Sequence, residues 1–97
     1  MAWTVILEDE NKTQISSGDV ELISQLIFDP SNIKKFKLLK YLDPYGDTIF
    51  NHLQMDDLIS DLKVIQEINH NNDIEKIINL ANECKIGLHV YLVFYGD

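Results

Sequence analysis

The spacing of apolar positions changes several times along this chain, and each change marks an element. Residues 2–8, AWTVILE, are rich in β-formers and predict a strand, with TQIS (13–16) as its hairpin partner across a polar EDENK loop. Ser17 and Asp19 are helix N-cap types, and Val20, Leu22, Ile23, Leu26 and Ile27 follow at helical spacing. Phe28-Asp29-Pro30 ends that short helix, because the residue before a proline avoids the α region. KKFKLLKYL (34–42) and DTIFNHL (47–53) predict two more strands. MDDLISDLKVIQEI (55–68) predicts a helix: Met55, Leu58, Ile59, Leu62 and Ile65 fall on one arc, and Asp56 and Asp57 complement the dipole in its first turn. After NHNND a further helix carries Ile74, Ile77, Ile78, Ala81 and Cys84 on one stripe. Asn72 and Glu75 approximate its capping box, and Gly87 is its C′ glycine. LHVYLVFY (88–95) alternates Leu88, Val90, Leu92 and Phe94 against His89, Tyr91, Val93 and Tyr95; apolar or aromatic on both faces, it belongs inside a sheet.

The expected order is β-β-α-β-β-α-α-β, a single α+β domain over residues 1–97. It places a single layer of about three helices on a mainly antiparallel sheet of about five strands. Ninety-seven residues with 45% hydrophobic content suffice for one self-supporting core. No apolar run reaches the length of a membrane span, the N-terminus is too short and acidic for a signal peptide, and the single cysteine excludes an internal disulfide. A cytoplasmic protein with no membrane partner is the expectation. Sixteen acids face eight lysines and no arginine, a net charge of −8. That balance disfavours nucleic acid as a partner and removes the guanidinium fork used to clamp phosphates. It serves solubility, or it matches a basic partner.

The sharpest local pattern is YLDPYGDTIF (41–50). Asp43-Pro44-Tyr45-Gly46 fits a type I turn position by position, and a left-handed Gly46 would complete a three-residue hairpin loop with a bulge. Asp43 is then explained by turn chemistry, whereas Asp47, facing it across the strand pair, is not. A catalytic use of Asp47 finds little support: on a regular strand His52 points to the opposite face. His70 has only Asp73 near it, His89 alternates with tyrosines as a half-buried sheet residue, and Cys84 belongs to a core stripe. No zinc-ligand spacing, phosphate loop or nucleophile elbow occurs, so no catalytic residue, metal or cofactor is assigned.

Between Tyr41 and Leu62 lie five acids and no lysine, while residues 34–40 hold four lysines that suit the guarding of a strand edge. On the helix over 55–68, Asp57, Asp61, Val64 and Ile68 share one flank beside the core arc. Mixed apolar and acidic side chains suit a binding surface with a charged rim. The alternative is that Val64 and Ile68 pack on the following helix and the aspartates are simply solvated. The partner-binding candidates are Asp43, Tyr45, Asp47, Asp56, Asp57, Asp61 and Val64.

Three stretches taken together, W-x-V-x-L-E-D-E at Trp3–Glu10, L-L-K-Y-L-D-P-Y-G-D-T-I-F-N-x-L-Q-M at Leu38–Met55 and H-V-Y-L-V-F-Y-G-D at His89–Asp97, resemble small acidic bacterial proteins of toxin–immunity loci, including immunity proteins of contact-dependent growth inhibition systems. The resemblance implies a non-enzymatic cytosolic inhibitor that occludes the active-site cleft of one cognate basic toxin domain, often a nuclease. A small structural or regulatory interaction module without a toxin partner is the second reading. An acid–base enzyme using Asp47 and a histidine is the third.

Overall fold

The computed structural model describes residues 3–9, 11, 14–20, 29–43, 45–87 and 89–96, the segment 14–20 by its backbone alone. Strands β1 (Trp3–Asp9), β2 (Gln14–Val20), β3 (Asp47–Asn51) and β4 (Val90–Tyr95) form one antiparallel sheet in the order β2-β1-β4-β3. Two α-helices, α1 (Met55–Ile68) and α2 (Asn72–Ile86), pack on one side of it. β4 lies inside the sheet, between β1 and β3, as its two-sided apolar pattern predicts.

The expectation of about three helices on about five strands fails at two places. Ser17, Asp19 and Val20 do not open a helix: they continue β2, opposite Ile6, Thr4 and Trp3. Pairing with β1 overrides the weak strand propensity of Ser-Ser-Gly-Asp, which an edge strand tolerates. The rest of that expected helix, 21–27, lies outside the described residues. The second failure is the expected strand over 34–42, which is two 3-10 turns, Ile33–Lys35 and Leu39–Tyr41, joined by an extended Phe36. Its apolar period is three rather than two: Phe36, Leu39 and Leu42 are buried, with Ile33 half-buried one step earlier.

One side chain dictates this conformation. Asp61, on α1, is 1% exposed. Its Oδ1 accepts from the backbone N–H of Lys37 at 2.9 Å, and its Oδ2 from those of Leu38 at 2.7 Å and Leu39 at 3.0 Å. Successive amides of a strand point to opposite edges, so three in a row converge on one carboxylate only if the backbone curls. The carboxylate thus binds residues 36–42 to α1 and delivers Phe36, Leu39 and Leu42 to the core.

The helix ends are set locally. Asn51 and Gln54 form a capping box: Asn51 Oδ1 accepts from Leu53 N–H, and Gln54 Oε1 from Asn51 N–H, across the 3-10 turn His52–Gln54 that leads into α1. The cap of α2 is Asn71 rather than Asn72, accepting from Asp73 N–H at 2.7 Å. Gly87 is not left-handed, with φ −92°. It is needed because a Cβ there would meet Val90 Cγ2 at 2.6 Å. The left-handed position is His89, at φ 59°.

The N–H groups around Asp61 predict its mutational signature. Asp61→Ala leaves three amides without acceptors and should lower unfolding stability by about 3–5 kcal/mol, a large share of what a domain this size possesses. Asp61→Asn keeps one acceptor and should lose less. The exposed Lys37–Asp57 pair, 3.4 Å apart, bridges the same two elements, but Asp57→Asn should change stability by less than about 1 kcal/mol. Urea denaturation of the three variants checks the ranking, and an Asp61→Ala protein as stable as the parent would refute the assignment.

Candidate partner-binding surfaces

The turn before β3 is held by its own polar groups, but it is no hairpin, since no strand precedes it. Asp43 Oδ1 accepts from Tyr45 N–H at 2.9 Å, the Asx turn expected of that position. Gly46 has no positive φ, contrary to expectation. It is constrained by Asp43, whose Oδ2 lies 2.6 Å from where a Cβ would stand. The turn is docked from two sides: buried Trp3 donates its indole N–H to Asp43 O at 3.3 Å, and Gly96 N–H bonds Gly46 O at 2.8 Å. Asp43 and Tyr45 remain exposed, Tyr45 at 79%.

The acidic flank of α1 is largely spoken for. Asp61 is buried and structural, so it does not serve as a surface charge. Asp57 pairs with Lys37, and Asp56 with Lys85 of α2 at 2.7 Å. Val64 is half-buried and packs against the core, whereas Ile68 is 42% exposed. The groove beside Val64 is lined by Lys63 and Lys85 as well as Asp56 and Glu67, a mixture with no preferred sign of partner.

A different surface collects the uncompensated charge. The residue pairing of the sheet places Thr4, Ile6 and Glu8 of β1, Tyr95, Val93 and Tyr91 of β4, and Asp47, Ile49 and Asn51 of β3 on the face away from the helices. They form three cross-strand rows: Thr4–Tyr95–Asp47, Ile6–Val93–Ile49 and Glu8–Tyr91–Asn51. The Tyr95 hydroxyl donates to Glu8 Oε2, two rows away, and Val93, in the row between them, is buried. Ile49 is 59% exposed, with exposed Tyr45 and Leu53 just beyond the two ends of β3. No strand contains a lysine. Beside Glu8 the β1–β2 register slips, so Ile15 has no partner residue. Such bulges commonly re-aim neighbouring side chains. The pattern VYLVFY already held this face in its Tyr91–Val93–Tyr95 alternation; Glu8 could be found only once the register of β1 against β4 was known.

The remaining reactive groups are scattered. His52 follows β3, His70 is exposed between the helices, and His89 is exposed before β4 rather than half-buried in it. Burial pushes the Cys84 thiol pKa up, away from the thiolate a nucleophile needs. Among the described residues no three His, Cys, Asp or Glu gather as a metal-ligand set, and no helix is long and apolar enough to cross a membrane. Comparison of the chain with protein-family models, curated proteins and solved structures found no match.

The hydrogen bond from Tyr95 to Glu8, with desolvation and the Glu8 and Asp47 charges, pushes the Tyr95 pKa from 10.0 up to about 12. A phenol whose folded-state pKa is raised contributes stability that is complete below pH 10.0 and lost between there and about 12. A tyrosinate absorbance titration should therefore show Tyr95 ionising well above pH 10.0. Glu8→Gln should bring it back toward the ordinary value, and unchanged titration in that variant would refute the coupling.

Proposed function

We propose that this protein is an immunity protein, a non-catalytic cytoplasmic inhibitor that binds a basic toxin domain, of the nuclease type, and occludes its active-site cleft. The observation that carries the reading is the uneven placement of charge. The lysines at 37 and 85 are matched by acids of α1, while the strands contain acids and no lysine. A molecule of net charge −8 arranged in this way presents Glu8 and Asp47, which pair with no lysine among the described residues, on an aromatic face to a partner of opposite sign. The resemblance to immunity proteins of contact-dependent growth inhibition loci supports the same reading, and a cleft that holds nucleic-acid phosphates supplies the complementary charge.

The test is co-expression of the chain with the toxin domain encoded directly upstream of it. Cells should survive, and the purified pair should associate at about 10⁸ M⁻¹s⁻¹ or faster at low salt, slowing markedly as salt rises. His52→Ala, His70→Ala and His89→Ala should each protect as well as the parent. A toxin that kills despite a folded, expressed chain would refute the proposal. Loss of protection without loss of binding in one histidine variant would point instead to catalysis.

A further inference from the structure

Glu8 is 6% exposed, and its hydrogen bond comes from the Tyr95 hydroxyl to Oε2. Among the described residues Oε1 accepts no bond and no cation pairs with the carboxylate. A carboxylate removed from water to this extent is costly unless paired. Its neighbours in the row are Tyr91, whose ring offers a face for a cation, and Asn51. Asp47, exposed and without a lysine, lies two rows away beside Tyr95. Between the two carboxylates run the apolar positions Ile6, Val93 and Ile49.

We infer that the outer face of the sheet is the docking surface, and that its occupant is a basic protein domain placing one cationic side chain on Glu8 over Tyr91 and a second on Asp47, with apolar contact at the exposed Ile49. This assignment rests on the immunity reading for the identity of the partner, but not for the polarity of the face. It moves the contact surface from α1 to the sheet. Asp43, Tyr45 and Asp47 stay at its rim; Asp56, Asp57, Asp61 and Val64 leave it. A cation on Glu8 completes a buried carboxylate, whereas one near Asp57 or Asp56 must displace an existing lysine. Charge complementarity therefore favours the sheet.

Two measurements separate the surface from the function. In the first, the isotope-labelled full chain is titrated with a tri-arginine peptide amide while its backbone amides are followed by NMR. Shifts should concentrate on residues 47–51 and 91–95 and around Glu8. Glu8→Gln combined with Asp47→Asn should weaken the peptide by about fivefold or more, whereas Asp56→Asn with Asp57→Asn should change it by less than about twofold. Both double variants should keep the parent's amide dispersion without peptide, which excludes misfolding as the cause of any weakening. Shifts centred on α1 and α2, or equal weakening by both pairs, would overturn the assignment. In the second, the same pairs are tested in the co-expression assay. Peptide binding on the sheet with no protection by the parent chain would refute the immunity reading and leave the face standing. Full protection by the Glu8→Gln, Asp47→Asn chain would refute the face and leave the reading standing.

Discussion

The Asp61 carboxylate is the constraint on which the architecture turns. A charge at 1% exposure is tolerated because three successive amides, those of Lys37, Leu38 and Leu39, surround it. The same bonds convert an apolar segment with strand-like composition into a curled strap across α1, and the strap supplies three buried side chains. Beyond Leu42 the chain enters the turn that Trp3 and Gly96 grip, so β3 starts at a fixed place and pairs with β4 in a fixed register. Removing one oxygen-bearing group would loosen a path that reaches from α1 to the edge of the sheet. An apolar residue of similar size fills the same space but offers the amides nothing, which is why the position specifies the strap rather than simply filling the core.

The two sides of the molecule manage charge differently. On the helical side, α1 and α2 and the strap bring lysines to acids: Lys37 to Asp57, Lys85 to Asp56, Lys76 to Asp73. These exposed pairs add little stability, yet they cancel local field. On the sheet side the strands have no lysine with which to cancel Glu8 or Asp47. A count of acids along the sequence ranks residues 43–61 as the most negative region, but the fold neutralises part of that region and buries another part. The surface field follows the three-dimensional pairing of lysines.

What could be read from the sequence follows from how local each determinant is. Both long helices and their buried stripes were legible because periodicity is a property of neighbouring residues: Met55, Leu58, Ile59, Leu62 and Ile65, and Ile74, Ile77, Ile78, Ala81 and Cys84, are all buried. The central placement of β4 was legible for the same reason. The strap was not, since its conformation is imposed by a carboxylate 22 to 24 residues away. A weak trace existed in the three-residue spacing of Phe36, Leu39 and Leu42, and in Asp61 falling between Leu58 and Ile65 on the helix. β2 was misread past Ser16 because strand pairing, not propensity, holds Ser17 to Val20. Of the candidate surface, Asp43 was legible from local turn chemistry and Asp47 as the acid that chemistry left unexplained, while Glu8 needed the sheet register.

Two strongly buried carboxylates among the described residues thus have opposite bonding. Asp61 has three backbone donors within 3.0 Å and is complete within the fold. Glu8 has one phenolic donor, faces away from α1 and α2, and sits among tyrosines with no lysine on its strand or either neighbour. Stability alone would favour an apolar residue or a paired one at position 8, because an under-satisfied buried charge costs free energy. Structures concentrate such costs where a ligand or partner later offsets them. The contrast sets the fully bonded Asp61 on the helix side apart from the under-bonded Glu8 on the sheet side, the charge proposed above for binding. The Tyr95 bond holds the Glu8 carboxylate in one orientation, so less conformational freedom would be lost on docking of the cation proposed above.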